Sequence, residues 1–222
     1  MNKVQGVSLP RTGHNMLVIH LKQYFADHVD CPKYKDFLIP PLAKRRTRIK
    51  TADDHRTPRF HYCEHYYSCR SIPCVDADNK FQKSHDFDLD WPVDTSIPHL
   101  VQVRDSVSLL ISWYEMRLKK NREIDSPDGW RAFVAKNIPY VEGFLRKWLP
   151  VAETNGLVIE YEDYLSIPDQ WLEKVIHMFQ GDLPINAKKI GRIVKDVRPN
   201  KIATDFRYFD STPSNAFLKI ES

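Results

Sequence analysis

Three stretches of the chain carry side chains suited to holding an anion or a metal. The first is Pro10-Arg11-Thr12-Gly13-His14-Asn15. It joins a guanidinium, a hydroxyl and a backbone-exposing glycine where a strand-like run gives way to a helical one. Backbone N–H groups at a helix N-terminus face an anion in that geometry, so the loop is either an ordinary strand–helix turn or an anion site. It lacks the GxxxxGK[ST] pattern of an ATP-binding P-loop. The second is Arg104 with Ser112. Eight residues of straight helix span about 12 Å, so the two converge only if the helix begins after Arg104. They then form a charge-assisted phosphate site; otherwise Arg104 is an exposed charge at a strand end. The third is His61, Cys63, His65, Cys69 and Cys74. These cysteines lack the Cys-x₂-Cys knuckle of structural zinc sites, which favours buried thiols and aromatic packing. Asp76-x-Asp78-Asn79 lacks the Gly and Glu of a calcium loop. The basic run Lys44 to Lys50 reads as a solvated loop, or as a patch gathering an anionic acceptor.

These residues need elements to position them. Lys3 to Leu9 reads as a strand, and Leu17, Val18, Leu21, Tyr24 and Phe25 recur at helical spacing from His14 to about Ala26. Lys80 to Lys83 is a short strand running into Ser84-His85-Asp86. His99 to Val103 is a β-branched strand, followed by a helical face of Val107, Leu110, Ile111, Tyr114 and Leu118. Asp105, Ser106 or Ser108 caps that helix. A further helix is expected over Pro127 to Trp148, kinked or split at Pro139 and ended by Pro150. Gly156 to Tyr161 reads as a buried strand, and helices follow at about Pro168 to Phe179 and Asn186 to Val197. Residues 40–75 are expected to hold loops and short helices. Alternating strands and helices give an α/β class, a central parallel sheet flanked by helices on both faces.

Composition narrows the classes. With 33 Lys+Arg against 29 Asp+Glu the net charge is +4, well short of the dense basic stripe of a nucleic-acid binder. Hydrophobic content of 42% with 28% charged residues is globular. Apolar runs stop at four or five residues, whereas a membrane span needs about 20. The start of the sequence has no apolar h-region. A single domain over residues 1–222, in the cytoplasm, is the expectation, with Cys31, Cys63, Cys69 and Cys74 as thiols.

Arg104-Asp105 with Ser112-Trp113-Tyr114, directly after Leu-Val-Gln-Val, together with Pro10-Arg11-Thr12-Gly13 at the first turn, resembles the sulfotransferase family that uses 3′-phosphoadenosine 5′-phosphosulfate (PAPS). In that family the first loop cradles the 5′-phosphosulfate, and an Arg with a Ser eight residues later holds the 3′-phosphate. Lys83-Ser84-His85 is similar to the family's Lys-[Thr/Ser]-His, whose His is the usual catalytic base. Tyr161-Glu162-Asp163 is similar to its Tyr-Glu-Asp, whose Tyr lies near the adenine. The resemblance covers about residues 3–27, 80–118 and 156–180. Position 16 is Met where many cytosolic members carry an adenine-stacking Trp. Their C-terminal Arg-Lys-Gly is absent, which leaves Arg198, Lys201 or Arg207 to replace it.

The resemblance implies a P-loop-NTPase-like sulfotransferase fold and an enzyme that moves a sulfuryl group from PAPS to a hydroxyl or amine, leaving 3′-phosphoadenosine 5′-phosphate (PAP). Arg11 and Lys83 supply fixed positive charge to the transferring group. Thr12, Gly13, His14 and Asn15 complete the phosphosulfate loop. Arg104 and Ser112 take the 3′-phosphate and Tyr161 the base. His85, with an unperturbed pKa of about 6.5, suits a general base. No metal, nucleic acid or membrane partner is implied, and the acceptor is a small molecule or saccharide. Two readings from other classes stand beside it: a P-loop nucleotide kinase, and a non-catalytic Cys/His metal-binding interaction module.

Overall fold

Strand β1, Val4–Ser8, is buried along its whole length and lies inside the sheet rather than at its edge. The computed structural model describes residues 2–25, 28–30, 60–64, 79–195, 197 and 203–217. Within them the other strands are β2 (His28–Asp30), β3 (Phe60–Glu64), β4 (Asn79–Ser84), β5 (His99–Val103) and β6 (Gly156–Glu160). They form one sheet in the order β2-β3-β4-β1-β5-β6, and every pairing is parallel. Parallel neighbours cannot be joined by hairpins, so helices cross over and cover both faces.

Helix α1 (His14–Phe25) follows β1, and α2 (Ser106–Leu118) follows β5. Helix α3 (Pro127–Asn155) leads into β6, which is followed by α4 (Tyr161–Ser166), α5 (Pro168–Gln180) and α6 (Ala187–Ile193). On one face Val7, Leu9, Val101 and Val103 pack against α2 and α3, with Trp130, Phe133 and Phe144 at the centre. On the other Val4, Phe81, Leu100 and Ile159 meet Leu17 and Leu21 of α1 and Trp171, Val175 and Phe179 of α5. Each fully buried Val, Leu or Phe contributes about 1.5–3 kcal/mol, so both faces are strongly committed. Single-turn 3₁₀ helices at Ala203–Asp205, Phe209–Ser211 and Ser214–Ala216 close the first core. Two hydrogen bonds tie them down: Ser106 Oγ donates to the Ala216 carbonyl (2.8 Å), and Trp130 Nε1 to Thr212 Oγ1 (3.1 Å). Among the described residues no helix is long and apolar enough to cross a membrane.

The sheet, both strand–helix junctions and the Asp105 cap agree with the expectations; Asp105 accepts from the Ser108 N–H at 2.8 Å. Three expectations fail. Pro150 does not end α3, which runs to Asn155 through both prolines. Interior proline costs about 3 kcal/mol, but the buried stripe Trp130, Val134, Ile138, Val141, Phe144, Trp148 and Ala152 continues past it. The second failure is Tyr161, which starts α4 instead of ending β6, and β6 is a half-covered edge strand. Its last carbonyl, that of Glu160, accepts from Trp171 Nε1 (2.9 Å), turning the chain off the sheet. The third lies in the expected loop region 40–75, where residues 60–64 form β3, stabilised by ladder partners in β2 and β4 that no local pattern reveals. The rest of that region lies outside the described residues, with the Lys44–Lys50 run, His65, Cys69, Cys74, Asp76, Asp78, Arg198 and Lys201; so does Cys31.

Candidate functional site

The candidate residues gather at the C-terminal ends of β1, β4 and β5, three adjacent strands. The first loop makes its turn with two left-handed residues, Arg11 (φ 64°) and Gly13 (φ 78°). Gly13 is obligatory on two grounds. Its φ favours glycine, and a Cβ there would lie 2.7 Å from the Tyr161 ring. Arg11 holds the same backbone region as an L-residue, a strained conformation of the kind that concentrates at ligand sites. Thr12 is wholly buried, and its hydroxyl donates to the Leu9 carbonyl at 2.8 Å. Gln102 Nε2 on β5 donates to the Thr12 carbonyl at 2.5 Å. The hydroxyl therefore shapes the loop from inside. Asn15 is exposed on the first turn of α1. His14 points inward, stacked on Phe81 with centroids 5.9 Å apart. Burial, then the neighbouring Lys83 and His85, hold its imidazole neutral, well below the ordinary histidine range.

Arg104 and Ser112 each contact Arg11, at its carbonyl and its side chain respectively. Arg104 is 6% exposed. It donates to the Arg11 carbonyl (Nη1, 3.0 Å) and lies over the Tyr161 ring at 4.6 Å. Arg11 Nε in turn donates to Ser112 Oγ at 3.2 Å. Helix α2 begins at Ser106, just beyond Arg104, which is the condition the spacing demanded. Glu162 borders this group: its Oε2 accepts from the Asp105 N–H at 3.3 Å, and Oε1 lies 4.0 Å from Arg104 Nε. Burial raises the Glu162 carboxyl and lowers Arg104, so neither is fully compensated by the other.

At the end of β4 Lys83 is 2% exposed, beside Gly6 of β1 in register. His85 follows one residue past the strand. Its Nδ1 lies 2.7 Å from the Ser8 carbonyl, with Ser8 Oγ at 3.2 Å. A carbonyl only accepts, so in the neutral ring Nδ1 carries the proton and Nε2 the basic lone pair. Tyr140 of α3 donates to the His85 carbonyl at 2.6 Å. Burial keeps that phenol protonated, far above its ordinary range.

Sequence reasoning missed what sits behind His85. Asp86 is buried in a left-handed conformation (φ 46°). Its Oδ2 accepts from Lys147 Nζ and Trp148 Nε1, both at 2.8 Å, and Oδ1 from the Trp91 N–H at 3.0 Å. Lys147 also reaches the carbonyls of Leu89 (3.1 Å) and Trp91 (2.6 Å). An acid directly after the Lys-Ser-His motif was the available signal; its partners are on α3, beyond local pattern. Arg207, a candidate for the missing C-terminal cation, is paired with Asp125 and lies over Tyr208. Asp125 follows the far end of α2 from Arg104, so Arg207 is not part of this group. Among the described residues no cluster of three His, Cys, Asp or Glu side chains could hold a metal ion.

Comparison with solved structures finds the same architecture. The crystal structure of mouse sulfotransferase SULT7A1 complexed with PAP matches 96% of this chain and 74% of that one, at 14% identity and a TM-score of 0.54. A sulfotransferase from Alicyclobacillus acidocaldarius matches 84% of this chain and 85% of that one (15% identity, TM-score 0.48). The sulfotransferase domain from the curacin biosynthetic pathway matches 95% and 82% (15% identity, TM-score 0.46). No family model matches the chain, and no curated protein matches it. The fold is that of the sulfotransferases, a P-loop-like parallel α/β sheet flanked by helices.

Proposed function

We propose that residues 1–222 act as one PAPS-dependent sulfotransferase domain. The observation that carries this reading is the meeting of Arg11, Arg104 and Ser112 beside a helix N-terminus, with Lys83 and His85 on the neighbouring strand end. One end of the group suits a phosphate and the other a transferring anion. The residues fit the donor: Arg104, Ser112 and the face of Tyr161 suit a 3′-phosphate with its nucleoside, and residues 10–15 the 5′-phosphosulfate. The similar structure complexed with PAP supports the same nucleotide here.

Lys83 and Arg11 offset charge on the sulfuryl oxygens and on the oxygen of the departing phosphate. Arg11 cannot give up a proton at neutral pH, so it acts as a fixed charge. His85 Nε2 accepts the acceptor's proton while Nδ1–H stays on the Ser8 carbonyl. The acceptor oxygen or nitrogen bonds to sulfur, the bridging sulfur–oxygen bond breaks, and the electron pair leaves on the 5′-phosphate of PAP.

Hydrogen bonds to a charged group contribute about 1.5–3 kcal/mol each. Replacing Arg104 by Ala should therefore weaken PAP binding by about 10- to 150-fold for each such bond lost. Calorimetry with PAP tests this. An Arg104→Ala protein that keeps its circular dichroism spectrum and binds PAP at full strength would sink the assignment.

A further inference from the structure

Two carboxylates flank Arg104, the residue proposed for the 3′-phosphate. Asp105 caps α2 through the Ser108 N–H at 2.8 Å. Glu162 comes from the first turn of α4, brought alongside because β6 pairs with β5, Val103 opposite Glu160. Its Oε2 takes the Asp105 N–H at 3.3 Å. The start of α2, where a phosphate would find N–H donors, therefore already holds two acids. The other oxygen of Glu162, Oε1, is buried, accepts no hydrogen bond among the described residues, and lies 4.0 Å from Arg104 Nε. Buried polar atoms are ordinarily hydrogen-bonded, and at this distance the ion pair lacks the close fork of a strong one.

Resting on the sulfotransferase reading, we infer that Glu162 sets the nucleotide affinity: its carboxylate opposes the 3′-phosphate at Arg104, and PAP binds with uptake of a proton at Glu162. A phosphate monoester brings about −1.5 to −2 charges, against the single charge of Arg104. With the phosphate in place, Glu162 becomes a like charge beside it, and protonation relieves the conflict. The proton comes from solvent, which reaches the side chain through its 39% exposed surface, and adds to one carboxylate oxygen; no other bond changes. Burial already holds this carboxyl above its ordinary range. The charged groups facing it are Arg104, which favours the carboxylate, and Asp105, which disfavours it, both from the β5–α2 junction. Arg11 and Tyr161 lie beyond, against Arg104. The complex protonates Glu162 at a higher pH than the free protein does, so the penalty is absent at low pH and grows as pH rises. It falls on PAPS and PAP alike, and so eases departure of the spent nucleotide.

The full-length protein is titrated with PAP by calorimetry from pH 6 to 8.5, in buffers of differing ionisation enthalpy. Adenosine 5′-phosphate serves as the ligand without a 3′-phosphate. Glu162→Gln keeps an acceptor for the Asp105 N–H and removes the charge. We expect it to bind PAP about tenfold tighter than the wild type at pH 8.5, with the gap narrowing as pH falls. Wild type should take up more protons on binding than Glu162→Gln does. The phosphate's own ionisation near 6 and that of His85 enter both proteins alike and cancel in the comparison. Adenosine 5′-phosphate should bind the two proteins equally. Equal or weaker PAP binding by Glu162→Gln at pH 8.5, the same proton uptake in both proteins, or as large a gap with adenosine 5′-phosphate overturns the role of Glu162 and leaves the sulfotransferase reading intact. Failure of the wild-type protein to bind PAP at any pH overturns both.

Discussion

The His85 end of the site hangs on Asp86, and Asp86→Asn measures by how much. The carboxylate receives three donors: Lys147 Nζ and Trp148 Nε1 on Oδ2, and the Trp91 N–H on Oδ1. An amide keeps one oxygen, so either orientation aims an NH₂ at a donor. Losing the partner of the buried Trp148 N–H alone costs about 1–3 kcal/mol. Breaking a buried ion pair costs about 3–5 kcal/mol; Lys147 is 20% exposed and keeps two carbonyls, which places the loss at the lower end, about 3 kcal/mol. Urea unfolding followed by tryptophan fluorescence should show this as a lower midpoint at constant slope. Asp86→Asn/Lys147→Met should lose less than the sum of the singles, by about 1–3 kcal/mol. A single-mutant loss under about 1 kcal/mol, or strict additivity, refutes the reasoning. At permissive urea-free conditions turnover should fall more than PAP affinity, because the residue touches the His85 segment and not Arg104.

Three further outcomes follow from other parts of the fold. Gly13→Ala must place a Cβ 2.7 Å from the Tyr161 ring at φ 78°; the conformation alone costs about 1–2 kcal/mol, and calorimetry should show PAP affinity reduced about tenfold or more. His14 is held neutral well below 6.5 in the folded chain, and burial acts likewise on His20 and His99. The unfolded chain protonates these groups below about 6.5 and the folded chain does not, so stability is complete above that pH and falls as pH drops through it. Urea midpoints from pH 7.5 to 5 should decline, and His14→Gln should flatten part of the slope. Pro150 lies exposed inside α3, so Pro150→Ala should raise stability by about 2 kcal/mol, the helix gain less the entropy returned to the unfolded chain. A lower thermal midpoint in that variant contradicts the account of why α3 continues.

What was readable in the sequence was local. Leu-Val-Gln-Val ending at Arg104, and Leu17, Val18 and Leu21 after Gly13, announce strand–turn–helix junctions because period and punctuation are properties of neighbouring residues. The left-handed Arg11 was not readable, since that conformation is held by Arg104 donating to its carbonyl from another strand. Nor was the contact from Arg11 to Ser112, which exists only because β1 and β5 are adjacent. Nothing local marks Asp86 for burial, which depends on Lys147 and Trp148 arriving from α3. Pro150 was over-read, because a proline's local cost was weighed without the buried stripe that offsets it.

The central place of β1 has a consequence for how the molecule forms. Strand β1 has its sheet neighbours at Phe81 and His99, so it cannot take its place in the sheet until those later residues have been made. Long-range parallel pairing of this kind closes large loops before any contact repays them, and such topologies fold slowly. Val4 and Val7, fully buried in the finished protein, stay uncovered in that interval. The loop proposed to grip the nucleotide takes shape only when β4 and β5 arrive, so under that proposal PAP binding should be among the last properties a refolding chain regains.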